Sequence, residues 1–283
     1  MYANLAHDRV EIDLPLQDVI ELASRHGFGG IDMPLAEVVE VDDLDALAAK
    51  VREAGLRWGG FELPLEFRTD RLRYDEDVAS LRAWLPAAQR LGFDRCYSAA
   101  VPGHNELDYK ENFAFHVERL LPVAQLLSDH GMRLAMEFIG PKTLRDTFRY
   151  PFIYTIEQIL ELCDSICVDA QSQGVGVLLD SYHWWTSGAT ESDLDLLSDD
   201  KVVYVHVNDG RSGRARDEQM DLERTLPCET GLIDAETFVG ALKRFGYDGP
   251  VTAEPFDDAL RGKPPEEIAQ RVSTSIQQML SLT

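Results

Sequence analysis

Four short apolar segments in the second half of the chain each end in a side chain that can bind a metal ion. The clearest is Val175–Leu179, an unbroken apolar run that stops at Asp180. Runs of this length, rich in valine and leucine, are typical of strands buried on both faces in parallel sheets. The same pattern precedes Glu137, His206 and Glu254. We therefore expect all four side chains at the carboxyl ends of parallel strands, where α/β folds carry their chemistry.

The whole chain repeats a strand followed by a helix eight times, and several of the predicted helices end at a glycine. Continuous alternation over 283 residues is typical of a closed parallel barrel. The sequence therefore predicts a single (β/α)8 TIM barrel over residues 1–283, with the candidate site at the ends of strands 5–8. Within this pattern we expect a third strand over 57–63, helices over 74–91 and 155–171, and a long loop over 208–231 that walls the catalytic face.

Composition excludes several classes of function. Asp and Glu outnumber Lys and Arg by 50 to 27, which gives a formal net charge of −23. A nucleic-acid enzyme needs a basic surface to neutralise phosphates, so no nucleic-acid partner is expected. We find no apolar stretch of the roughly 18–20 residues that a membrane span needs and no signal peptide. The four cysteines follow no metal-binding spacing. Without a membrane span or a signal peptide, the chain fits a cytoplasmic protein that has no membrane partner. A homo-oligomer is compatible with the sequence.

Three carboxylates and one imidazole form a mixed oxygen and nitrogen donor set. Such a set suits Mn²⁺, Mg²⁺, Co²⁺ or Zn²⁺ and contains no thiolate that would select zinc. A buried carboxylate without a partner costs several kcal/mol, so three converging acids call for a cation. The sequence therefore predicts one divalent metal ion, with Mn²⁺ favoured, bound by the four strand-end residues Glu137, Asp180, His206 and Glu254.

Five motifs carry a family resemblance that covers the whole chain and is sharpest from Leu134 onward. They begin at Met136, Leu179, His206, Gly231 and Ala253, and read MEFIG, LDSYH, HVND, GLID and AEPF. The chain resembles the xylose-isomerase-like barrel superfamily, and within it the sugar isomerases and epimerases of the inosose isomerase and ketose 3-epimerase type. The resemblance implies that the four strand-end residues are metal ligands. It also implies that His183 contacts substrate. Arg224 resembles an arginine that lies before the Pro-Gly-x-Gly turn of inosose isomerases, which makes it a candidate substrate-binding residue.

The resemblance further implies an isomerase or epimerase that acts on a keto-sugar or an inosose. Removing a proton beside a carbonyl creates an enediolate, whose charge a Lewis acid stabilises. Glu137 and Glu254 are then the catalytic pair, one taking the proton and the other returning it. Trp184, with Trp185, is a candidate apolar wall for the substrate ring, and Lys142 is a candidate substrate contact. Three further residues are weaker candidates. His104 is either an extra metal ligand or an ordinary loop residue. Arg145 is a possible substrate contact, and Asp209 is a possible hydrogen-bond partner of His206.

Two departures from the family motifs leave the substrate open. Thr143 stands where ketose 3-epimerases carry a second glutamate, and Pro227–Gly231 is longer and bulkier than the Pro-Gly-x-Gly turn of inosose isomerases. Three alternatives therefore stay open. A dehydratase shares the first half-reaction. An abasic-site endonuclease needs an Asp-x-His element near Glu223 and Thr225, which is missing here. A carbohydrate-binding protein without activity would hold no divalent metal.

Overall fold

The computed structural model of the chain describes residues 1–167 and 174–282. Its main sheet pairs in parallel throughout and closes into a barrel surrounded by helices, which confirms the predicted fold class. The barrel strands are β1 (Tyr2–Ala6), β2 (Gly30–Asp32), β3 (Arg57–Trp58 and Phe61–Glu62), β4 (Arg95–Ala100), β5 (Arg133–Phe138), β6 (Val175–Asp180), β7 (Val202–Val207) and β8 (Pro250–Ala253).

Strand β3 closes the barrel because it changes partner halfway along its length. Its first segment pairs with β2 and its second segment pairs with β4. The prediction of one continuous strand over 57–63 was therefore wrong at Gly59 and Gly60, where pairing is interrupted. A Cβ atom on Gly59 would lie 2.2 Å from Oδ1 of Asn4 and 2.4 Å from Oδ1 of Asp32. Only glycine lets the backbone pass so close to these two interior side chains.

The described helices are α1 (Leu16–Arg25), α2 (Leu35–Val39), α3 (Leu44–Glu53), α4 (Arg71–Leu91), α5 (Tyr109–Ser128), α6 (Lys142–Arg145), α7 (Ile156–Ile166), α8 (Ser181–Thr186), α9 (Glu191–Leu194), α10 (Ala235–Arg244) and α11 (Pro265–Leu280). They include three short ones, α2, α6 and α8, that the sequence did not predict. None of the described helices is both long and apolar enough to cross a lipid bilayer.

Side-chain caps set where several of these helices begin. Helix α4 starts three residues before the predicted Tyr74 because the Asp70 carboxylate accepts from the first free backbone N–H groups, those of Leu72 and Arg73. Thr155 caps α7 in the same way. The last residues of the predicted helix over 155–171 lie outside the described residues from 168 onward.

A buried polar network forms the floor beneath the strand ends. The Asp32 carboxylate accepts hydrogen bonds from Asn4 Nδ2 at 2.8 Å, from the Tyr97 hydroxyl at 3.2 Å and from the Tyr204 hydroxyl. Burial raises the pKa of Asp32 to about 6, because these hydrogen bonds only partly replace the lost hydration. The rings of Tyr97 and Tyr204 lie edge-on to His206, with centroids 5.7 and 5.4 Å from that imidazole. The network therefore connects the barrel interior to the candidate site.

Candidate metal centre

The four predicted side chains meet at the carboxyl-terminal mouth of the barrel. Glu137 and His206 are the penultimate residues of β5 and β7, Asp180 ends β6, and Glu254 follows β8 directly. One ligand atom from each residue lies within 4.8 Å of those of the others. All four side chains are buried. The fold thus removes three carboxylates and an imidazole from water and gathers them in one small volume.

Several polar atoms of this cluster have no hydrogen-bond partner within the described part of the chain. They are Oε1 of Glu137 and both ring nitrogens of His206. Nδ1 of His206 lies 3.5 Å from Glu137 Oε1 and 3.4 Å from Glu254 Oε2, at the outer limit of hydrogen bonding. Ligands about 2.1 Å from one cation lie about 3–4 Å from each other. The spacing and the unpaired donor atoms therefore fit a divalent cation.

Burial and mutual charge shift the pKa values of the cluster. Burial raises the pKa of Glu137 above its usual range, and the neighbouring histidines offset this only in part. Burial also opposes ionisation of Glu254, but His206 and two nearby arginines outweigh it and lower that pKa well below its usual range. Burial alone would lower the pKa of His206, yet the two glutamates raise it to about 10. A cation that binds here must therefore compete with a proton, so its affinity will depend on pH.

Arg224 is the buried arginine of the site. Its Nη1 donates to Asp180 Oδ2 at 2.8 Å and to Glu254 Oε2 at 3.2 Å. Its Nη2 donates to Asp221 Oδ1 at 3.0 Å and lies 3.2 Å from His183 Nε2. The guanidinium is thereby paired with carboxylates on several sides, and it ties the loop after β7 to two of the candidate ligands.

His183 reaches the same cavity from α8. The preceding Asp180 carboxylate caps this helix by accepting from the N–H of Tyr182 at 2.6 Å, which also orients the carboxylate. Nδ1 of His183 accepts from the Gly140 N–H at 3.2 Å. Nε2 lies 3.7 Å from Glu137 Oε1. The sequence-predicted residues His183 and Arg224 are thus brought beside the four strand-end residues.

Two residues that sequence reasoning missed also hold the cluster. Asn208 donates to Asp180 Oδ2 at 3.1 Å and accepts from the Glu254 N–H at 2.8 Å, so it links two candidate ligands. Asn208 lies two residues after His206, and alternate residues of a strand share a face, so this spacing could have predicted that Asn208 is near the site. Arg9, from the loop after β1, lies with Nη1 3.2 Å from Glu254 Oε1 and also binds Glu62. A single arginine after a short strand carried no recognisable pattern.

The predicted loop over 208–231 does cover the mouth of the barrel. It contributes Asp221, Leu222 and Arg224 to the wall of a cavity of about 130 Å³ above the four strand-end residues. The proposed pairing of Asp209 with His206 was wrong. The Asp209 carboxylate instead accepts from backbone N–H groups of the loop itself, those of Gly210, Thr230, Gly231 and Ile233.

The structure places three other candidates away from this cavity. Trp184 is 4% exposed, packs against Phe238 and donates to the Thr190 carbonyl at 3.1 Å. Its assignment as a substrate wall therefore needs correction, because the indole faces the helix layer. Lys142 also needs correction, since it is half-exposed, lies 3.8 Å from Asp146 and does not line the cavity. His104 is outside the metal cluster found among the described residues.

The sequence profile of the xylose isomerase-like TIM barrel family matches residues 20–278. The chain belongs to this family. An inosose isomerase from Bacillus velezensis is 23% identical over 250 residues, which cover 85% of this chain and 83% of that protein. A ketose 3-epimerase from Arthrobacter globiformis is 27% identical over 141 residues, which cover 49% of this chain and 40% of that protein.

Two solved structures share the fold over nearly all of the chain. A xylose isomerase domain protein from Alicyclobacillus acidocaldarius superimposes with a TM-score of 0.85 at 29% identity, covering 99% of this chain and 98% of that one. The IOLI protein, whose structure contains a zinc atom, superimposes with a TM-score of 0.82 at 20% identity, with the same coverage of both chains.

Proposed function

We propose that this protein is a divalent-metal-dependent isomerase or epimerase that acts on an uncharged keto-sugar or inosose. The observation that carries the proposal is the buried cluster of Glu137, Asp180, His206 and Glu254. In the described part of the chain, Oε1 of Glu137 and both ring nitrogens of His206 have no hydrogen-bond partner. The family relatives named inosose isomerase and ketose 3-epimerase support the same reaction class. We further propose that the domain spans residues 1–283 and that the four residues are the metal ligands.

The two glutamates have the placement that proton transfer on a keto-sugar requires. Glu137 and Glu254 approach the cavity from β5 and β8, which lie on either side of β7 in the barrel order, and each carboxylate comes within 3.5 Å of His206 Nδ1. Oε1 of Glu137 makes no hydrogen bond in the described structure. Because a carboxylate has two oxygens, one of them can bind the cation while the other exchanges a proton with carbon. A divalent cation bound here, which we expect to be Mn²⁺, would polarise the substrate carbonyl and stabilise the enediolate charge. The other glutamate of the pair delivers a proton of its own to the neighbouring carbon or to the other face, so the two carboxyl groups exchange protonation states over the reaction.

The charges around the cavity favour an uncharged substrate. The two arginines of the wall, Arg9 and Arg224, are both paired with carboxylates. A substrate carboxylate or phosphate would therefore have to break an existing ion pair to gain an arginine as its partner. This weighs against a dehydratase that acts on an acid. We propose that His183 and Arg224 contact substrate hydroxyl groups, which need hydrogen bonds but no countercharge. Arg224 must then exchange one of its present hydrogen bonds for one to substrate.

The abasic-site endonuclease alternative loses support at the loop after β7. The Glu223 carboxylate is paired with Arg214 at 2.5 Å, and Thr225 pairs with Asp209 through backbone hydrogen bonds. Neither residue therefore extends the four-residue cluster. The net charge of −23 opposes phosphate binding as well.

A panel of ketoses and inososes, incubated with Mn²⁺-loaded protein in D₂O and followed by NMR, tests the proposal. Isomerisation or epimerisation exchanges a carbon-bound proton for deuterium and produces a second sugar. Dehydration instead releases an enone that absorbs in the ultraviolet. Parallel reactions with Glu137→Gln protein show whether the exchange belongs to this site. No exchange on any member of the panel, with metal occupancy verified, would reject the proposal.

A further inference from the structure

A second and larger cavity lies on the same end of the barrel, beside the loops that follow β3, β4 and β5. Its volume is about 700 Å³, and its wall includes Arg68, His104, Asn112, Phe115, His116 and Phe148. We call it the aromatic cavity. Its volume falls within the range of about 300–1,000 Å³ that is usual for small-molecule sites. It shares no lining residue with the cavity above the metal centre.

His116 lines this cavity and carries an unpaired acceptor. The side chain is 2% exposed. Its Nδ1 lies 2.8 Å from the carbonyl oxygen of Asn112, to which only a protonated nitrogen can donate. Burial lowers the pKa of His116 to about 4, so the ring is neutral at neutral pH and Nε2 carries a lone pair. That Nε2 is buried and has no partner in the described part of the chain, which calls for a hydrogen-bond donor.

Two further groups extend the polar side of the wall. Nδ1 of His104 accepts from the N–H groups of Glu106 and Leu107, at 3.0 and 2.8 Å. When neutral, this imidazole therefore carries its proton on Nε2 and can donate. The side-chain amide of Asn112 makes no hydrogen bond to any described residue, although the residue is buried. Acceptor, donor and amide together suit hydroxyl groups.

The apolar side of the aromatic cavity is held in place by pairing between two loops. A short antiparallel ribbon, Gly103–His104 paired with Tyr150–Pro151, joins the loops after β4 and β5. Phe148 packs directly on this ribbon, because a Cβ atom on Gly103 would lie 2.4 Å from the Phe148 Cβ. Such a wall offers an aromatic surface to a flat ring.

A surface cleft of about 480 Å³ lies between the two cavities. It shares Arg68 and Thr69 with the aromatic cavity, and it shares Glu62, Ser98 and Ala99 with the cavity above the metal centre. The two cavities are therefore neighbours along one groove across the mouth of the barrel.

We propose that the aromatic cavity is a second binding site, for a ring that carries hydroxyl groups. One hydroxyl donates to Nε2 of His116, and the ring packs against Phe115 and Phe148. Both a cyclitol or sugar and a phenol have this chemistry. The proposal does not depend on the reaction at the metal centre, because none of the residues involved contacts the four strand-end side chains.

The test uses the full-length protein at neutral pH with two probes at millimolar concentration, myo-inositol and phenol. Histidine side-chain ¹H–¹⁵N spectra report on Nε2 directly, and His116→Phe protein identifies its resonance. We expect at least one probe to move this resonance upfield in a saturable way, and its identity distinguishes the two sources. Loss of one hydrogen bond should weaken binding of that probe about tenfold in His116→Phe.

Matched variants separate binding from folding. His130 lies two residues after the end of helix α5 and contacts the Leu126 carbonyl through Nδ1 in the same way, at 2.9 Å, so His130→Phe should bind the probe like the parent. If His116→Phe fails to fold, Phe148→Ala serves instead, because Phe148 lies on a loop and is half-exposed. This variant should bind the probe more weakly than the parent. An Nε2 resonance unmoved by either probe, or equal binding by the parent and His116→Phe, overturns the proposal.

Discussion

Replacing Asp32 by asparagine should make the protein more stable at neutral pH, and the gain should shrink in acid. The carboxylate is buried in the barrel floor, and burial raises its pKa from 3.8 to about 6. The folded state therefore binds the Asp32 proton more tightly than the unfolded state does. The stability that this proton contributes is fully present below pH 3.8 and is lost as the pH rises through about 6.

The size of the effect follows from the pKa difference. A pKa difference of about two units between the folded and unfolded states corresponds to about 3 kcal/mol of stability, and this loss is complete once the pH is above about 6. Between about pH 5 and about pH 7 the loss is about 1.3 kcal/mol. Asparagine is uncharged and removes this dependence. The network can accommodate it, because Oδ1 of Asn4 has no partner in the described structure and becomes an acceptor for the new amide when Asn4 flips.

Urea unfolding of the parent and of Asp32→Asn at several pH values measures the difference. The stability of the variant relative to the parent should rise by about 1.3 kcal/mol from about pH 5 to about pH 7. Tyr97→Phe serves as the control, because it keeps the carboxylate but removes one hydrogen bond to its ionised form. Its stability should fall more steeply with pH than that of the parent. A difference between parent and Asp32→Asn that does not change with pH would refute the reasoning.

Four further predictions concern the metal centre. Asp180→Ala should lose most of the bound divalent metal, and undiminished occupancy by elemental analysis would contradict the ligand set. Exhaustive EDTA treatment should abolish deuterium exchange and Mn²⁺ or Co²⁺ should restore it, so full turnover by the chelated protein would rule out the mechanism. At saturating metal, Glu137→Gln and Glu254→Gln should lower kcat by roughly 10²–10⁴-fold, whereas His183→Ala should mainly raise KM; near-normal kcat in either glutamine variant would move proton transfer elsewhere. An abasic oligonucleotide at physiological salt should stay intact, and enzyme-proportional cleavage would reverse the functional assignment.

Much of the barrel and its mouth could be read from local sequence pattern. A strand buried on both faces needs a continuous apolar run, so its end is visible wherever a charged residue interrupts that run. Glu137, Asp180 and His206 were found in this way, and parallel strands necessarily bring such ends to one edge. Helix ends were also largely predictable from the sequence, since a capping side chain acts on backbone groups only three or four residues away.

Contacts between segments that are far apart in sequence could not be predicted from local sequence pattern. Arg9 and Glu254 follow the paired strands β1 and β8, so they meet at the mouth although they lie far apart in sequence. Trp184 follows the cluster closely in sequence, yet α8 turns its ring toward Phe238 and away from the substrate cavity. The Nε2 of His116 has no partner in the described structure, and the rings that pack against this imidazole, Phe67 and Phe152, come from other segments of the chain. Apolar periodicity reports which face of an element is buried, whereas the partner of a buried polar atom depends on how the elements pack together.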